Sequence, residues 1–92
     1  MKVKSDPRVE KEIRLLSKVD SSKVVRIAEF FGQYGFELSS NYLKKLSKNL
    51  WELRTGRWRV LFGIVNSEAI LVNLFLKKTQ KTPIKEINLA LK

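Results

Sequence analysis

The apolar positions of this chain recur with two different periods, and the change falls near its middle. Val9, Ile13 and Leu16 are spaced by three and four with charges between them, a helical stripe. Asp6-Pro7 precedes it, a capping residue followed by one suited to the first helical position, so a helix is expected over about 7–18. Val24, Ile27, Ala28, Phe31 and Tyr34 keep the same period behind Asp20 and Ser21, which offer a second N-cap, and Gly35 supplies a stop. The first 35 residues thus read as a helical hairpin whose apolar stripes need a sheet to cover.

From residue 50 the pattern becomes strand-like. LWELR (50–54), RWRVLFGIV (57–65) and EAILVNLFLKK (68–78) are rich in β-branched and aromatic residues, and Thr55-Gly56 and Asn66-Ser67 mark turns between them. Turns this short join antiparallel neighbours, giving a three-strand meander. Residues 1–5 offer a short N-terminal edge strand, and SNYLKKLSKN (40–49), polar and basic, is either one short helix or a loop. After Pro83, Ile84, Ile87 and Leu91 recur at helical spacing and predict a short C-terminal helix. The order gives an α+β fold, one domain over 1–92: a helical hairpin packed on a twisted antiparallel sheet, closed by a helix.

Composition narrows the chemistry. At 43% hydrophobic residues the chain can pack a core and is no disordered tail. Nineteen Lys and Arg against nine Asp and Glu leave a net charge of +10, an excess that repels itself in a compact fold and suits a polyanionic partner. With no cysteine and no histidine, disulfides, thiolate metal sites and histidine acid/base chemistry drop out. The expectation is no metal and no cofactor. The longest apolar stretch, AILVNLFL (69–76), is broken by Asn73. It is far below the roughly 20 residues that span a bilayer. The charged start MKVKSDPRVEKE resembles no signal peptide. A cytoplasmic, membrane-free protein is expected.

The charge is concentrated. Residues 37–62 carry six basic and two acidic groups, and residues 77–92 five and one, so these two segments hold most of the excess. If Thr55-Gly56 and Asn66-Ser67 are two-residue loops, Arg54 faces Arg57, Glu52 faces Arg59, Arg59 faces Leu74, and Lys78 falls near Thr55. That register puts Arg57, Arg59 and Lys78 on one sheet face with Glu52, and Trp58, Val60, Phe62 and Ile64 on the other, against the helices. Cations converging on one face destabilise a sheet but grip a phosphate well. Plainer readings exist: Glu52–Arg59 as a cross-strand ion pair, KKLSK (44–48) as a solvated face, and Trp51, Trp58, Phe30, Phe31 and Phe75 as core.

At NLWELRTGRWRVLF (49–62) and NLFLKKTQKTPIKEI (73–87) the chain resembles the RelE/HigB superfamily of type II toxins, in particular its phage-derived, host-killing-like HigB branch. The likeness lies in an aromatic-E-L-R segment, an aromatic-R-V-hydrophobic strand, and a hydrophobic strand ending F-x-K-K-[ST]-x-K-T-P before a helix. It implies a RelE-like microbial RNase fold and a ribosome-dependent mRNA endoribonuclease that inhibits translation. Cleavage would use the RNA's own 2′-OH, without metal. The resemblance assigns Arg59 to the scissile phosphate, with Lys78 and Arg54 as further catalytic cations. Lys77, Arg57, Lys45, Lys48 and Lys81 would contact RNA. The implied partners are the ribosome, mRNA, and an adjacently encoded helix-turn-helix, HigA-like antitoxin. The chain departs from relatives that use a C-terminal Tyr or a His/Asp cluster, since it lacks His and Ile84 stands near the tyrosine position, so proton transfer is unassigned. The alternative is a basic RNA- or ribosome-binding module, or a degenerate toxin, that does not cut.

Overall fold

The computed structural model describes residues 1–77. The expected C-terminal helix, Lys78 and Lys81 lie outside the described residues. Strand β1 spans Val3–Ser5, helix α1 Pro7–Leu15, helix α2 Lys18–Tyr34, followed by a 3-10 turn at Gly35–Glu37. Strands β2 (Leu43–Ser47), β3 (Leu50–Thr55), β4 (Trp58–Val65) and β5 (Glu68–Leu76) complete it. The sheet order is β1-β5-β4-β3-β2, with β1 parallel to β5 and the other pairs antiparallel.

The helix signals act locally as read. The Asp6 side chain accepts from the Arg8 N–H and Pro7 opens α1. The second cap is Ser17, whose hydroxyl accepts from the Asp20 N–H, so α2 starts a turn earlier than Asp20 and Ser21 suggested. Gly35 ends α2 at φ 58°, a conformation that favours glycine.

The expected meander has a fourth strand. Residues 43–47, read as a helix or loop, form β2, and residues 3–5 form the N-terminal edge strand. β2 is hard to see because Leu43 and Leu46 are its only apolar residues and a bulge between Lys45 and Ser47 breaks their alternation. Asn49, at φ 55° in the β2–β3 turn, accepts from the Ile64 N–H at 2.9 Å and donates to the Ile64 carbonyl at 3.1 Å. This clasp extends the β3–β4 ladder past Leu50. Gly63 permits it, because a Cβ there would stand 3.0 Å from the Asn49 carbonyl.

The core lies between the helices and one face of the sheet. Val9, Val24, Ile27 and Phe31 pack on Leu53, Val60, Phe62, Ala69, Leu71 and Leu74. Trp51 stacks on Phe62 at 5.6 Å between ring centroids, and Phe31 meets Phe62 at 4.5 Å. Phe30 and Tyr34, expected inside, are exposed on the outer side of α2. Phe75, also expected in the core, is half-buried on the other sheet face, opposite Arg59. That second face has its own buried set, Leu50, Glu52, Leu61 and Asn73.

Candidate nucleic-acid interface

Two register details build the charged face. The β3–β4 turn is Gly56-Arg57 rather than Thr55-Gly56: Thr55 pairs with Trp58 and Arg54 with Arg59. Gly56 takes φ 57° at the first turn position, where a two-residue hairpin of this kind wants glycine. The slip moves each strand by one residue, so faces are conserved while partners change. Glu52 pairs with Leu61, not Arg59, and Arg54 faces Arg59, not Arg57.

The β4–β5 turn at Asn66-Ser67 is as expected, with φ of 50° and 65°. Phe62 pairs with Leu71 but Leu61 pairs with Asn73, so Val72 is the extra residue of a bulge. Beyond it β5 presents its opposite side. Arg59 therefore faces Phe75, not Leu74, and Leu74 joins the core. The Lys77 N–H donates to the Arg57 carbonyl at 2.7 Å, which carries the ladder to Lys77 and puts that residue on the arginine face. The expectation had given this place to Lys78.

The centre of the face is Glu52, whose side chain is fully buried. Its Oε1 accepts from Arg54 Nε at 2.9 Å and lies 3.9 Å from Arg59 Nε. Two arginines paired directly across strands repel, and the carboxylate between them offsets that repulsion. Arg59 Nη1 donates to the carbonyls of Gly56 and Trp58 at 2.8 and 2.9 Å, and its side chain is 12% exposed. Burial lowers the Arg59 proton affinity, Glu52 raises it and Arg54 lowers it; a guanidinium stays charged regardless. Arg54 is more open, with 26% of its side chain exposed. The Lys77 ammonium is held below the ordinary lysine value by burial first, then by Arg59, with Arg54 and Lys44 adding and Glu52 opposing. Four cations (Lys44, Arg54, Arg59 and Lys77) around one carboxylate leave a surplus of positive charge on this face.

The other candidates fall elsewhere. Lys44, opposite Glu52, rather than Lys45, points to the arginine face. Lys45 is opposite Trp51 and its Nζ sits 5.7 Å from that ring, a cation–π contact on the helix side. Lys48 is exposed in the β2–β3 turn and Arg57 in the β3–β4 turn. Alternation from Glu52 across the ladder could have found Lys44, had β2 been recognised as a strand. Among the described residues no group of three or more acidic side chains could hold a metal ion, and no helix is long and apolar enough to cross a membrane.

Residues 11–92 match the model of the family described as phage-derived protein Gp49-like (DUF891). The chain belongs to this family, one of RelE/HigB-type toxins. No curated protein matches it. A chain in the crystal structure of the archaeal RelE–RelB complex from Pyrococcus horikoshii OT3 superposes with a TM-score of 0.70 at 18% identity, covering 84% of this chain and 94% of that one. The likeness covers most of both chains, so the α+β reading holds as the RelE fold.

Proposed function

We propose that this member of the Gp49-like family is a ribosome-dependent mRNA endoribonuclease, the toxin of a type II toxin–antitoxin pair. The observation that carries it is the buried Glu52 carboxylate holding Arg54 and Arg59 together on a sheet face that Lys77 joins. In the reaction the RNA 2′-OH loses its proton and its oxygen attacks the adjacent phosphorus. The bond to the 5′-oxygen breaks and that oxygen is protonated, leaving a 2′,3′-cyclic phosphate and a 5′-OH. Negative charge accumulates on the phosphorane, where preorganised cations act most strongly. Arg54 and Arg59 meet that charge. Lys77, its pKa lowered by burial and by its cationic neighbours, gives up a proton more readily than a free lysine does.

The partner we propose is an adjacently encoded antitoxin, of helix-turn-helix type as the resemblance implies. The similar archaeal chain was crystallised as a RelE–RelB complex, which supports an antitoxin partner. The protein would act in the cytoplasm, where ribosomes are.

Induction of the chain followed by primer extension on cellular mRNA tests this. New ends inside translated reading frames are expected, and Arg59→Ala is expected to lower their yield by roughly tenfold or more, the scale of losing one preorganised charge. A second reading, RNA binding without cutting, draws on Arg59 being only 12% exposed. It predicts growth inhibition with salt-sensitive ribosome binding and no new RNA ends.

A further inference from the structure

The proposed reaction makes no use of a groove between α2 and the β3–β4 turn. We infer that this groove receives an acidic peptide segment carrying one bulky apolar side chain, supplied by the protein that neutralises this one. The identity of that partner rests on the toxin reading; the binding itself does not.

The groove has a volume of about 330 Å³ and is walled by Lys23, Arg26 and Phe30 of α2, by Tyr42, and by Gly56 of the β3–β4 turn. Folding does not need this wall. Val24, Ile27 and Phe31 bury α2 against the sheet, whereas Phe30 is 42% and Tyr42 47% exposed. Phe30 also meets the half-exposed Tyr34 edge to face at 6.5 Å, so the apolar surface continues along the helix. Two aromatics left in water beside a cavity gain free energy when a partner covers them. At the same lip Lys23 and Arg26 have no carboxylate partner among the described residues. Cations there complement carboxylates, and the apolar walls suit a Leu or Phe side chain better than the polar edge of a base. The phosphate-binding cluster lies on the opposite face of the sheet from α2, so a strand of RNA held there does not enter the groove.

The groove also touches the site indirectly. Gly56 forms part of its wall, and the Gly56 carbonyl accepts from Arg59 Nη1 at 2.8 Å. An occupant pressing on that turn moves the Arg59 anchor without covering the arginine face.

The test is an amide shift map of the 15N-labelled full chain. It is titrated with an acetylated Glu-Asp-Leu-Phe-Glu-Asp peptide and, separately, with hexauridylate. The peptide is expected to move the amides of Lys23, Arg26, Phe30, Tyr42 and Gly56, and hexauridylate those of Arg54 and Lys77. Arg26→Glu should weaken peptide binding by roughly tenfold, the scale of reversing an interfacial charge, while RNA cleavage stays unchanged. Phe30→Ser should do the same through the apolar wall, and unchanged shifts outside α2 would show that both variants fold. Peptide shifts confined to the arginine face, unchanged peptide affinity in both variants, or hexauridylate shifts at Lys23, Arg26 and Phe30 would each overturn the inference. If no RNA is cut by the wild-type chain, the toxin reading fails, and the peptide map still decides the groove by itself.

Discussion

The two faces of the β3–β4 hairpin are built from alternate residues of the same two strands and answer to opposite demands. On the helix side Trp51, Leu53, Val60 and Phe62 meet α2 and one another in close apolar contact. On the far side Glu52, Arg54 and Arg59 are locked by one carboxylate, two carbonyls and the strand register. The apolar face tolerates any close-packed solution of similar volume. The charged face does not, because two arginines directly opposite each other are favourable only with Glu52 between them or an anion in front of them. The contacts with the helices thus lie on one side of the sheet, and the cluster of charges on the other.

That contrast can be broken from either side. The largest effect on stability is expected at Phe62, fully buried and in contact with Phe31, Phe36 and Trp51. Phe62→Ala should cost about 3–5 kcal/mol in denaturant unfolding, and a loss below about 1 kcal/mol would show that the apolar face is not the core. On the charged face, Arg59→Ala should leave the thermal midpoint near that of the parent while removing most cleavage. Equal loss of folding and cleavage would erase the distinction between the faces.

Glu52→Gln probes the lock itself. It keeps the shape but removes the counter-charge, so RNA affinity should hold or rise while the cleavage rate falls roughly tenfold, as expected when positioning rather than binding is lost. A parallel loss of both would make Glu52 a structural ion-pair partner only.

The pH profile gives a smaller effect. A lysine that must lose its proton to act makes the rate rise with pH through its pKa. The lowering of the Lys77 pKa by burial and by Arg59 moves that rise to lower pH than a free lysine would give. Lys77→Arg, which cannot deprotonate in this range, should flatten the rise. An unchanged profile would remove Lys77 from proton transfer. The smallest effect is expected at Lys45, on the helix side, where Lys45→Ala should cost about 0.5–1 kcal/mol through lost cation–π contact and leave cleavage intact.

Several elements were legible because their causes are local. Asp6-Pro7 caps α1 through groups two residues apart, Gly35 stops α2 by its own backbone freedom, and Asn66-Ser67 turns a hairpin within two residues. Face assignment in β3 and β4 was also legible, since alternation survives a one-residue slip of both strands. Lys44 and β2 were not, because LKKLS lacks a strand-like alternation and is a strand only by pairing with β3.

By itself the amino-acid sequence determined the helical hairpin, the strand-rich second half, the surplus of cations and the placing of Arg54, Arg59 and Glu52 on one side of their hairpin. Only the tertiary structure decided that Arg54 rather than Glu52 stands across from Arg59, and that Lys77 completes the cluster. The first depends on which residue of the turn takes a positive φ, and the second on the Val72 bulge. A bulge is chosen by how two strands twist and pack against helices distant in sequence, and no pattern within either strand encodes it.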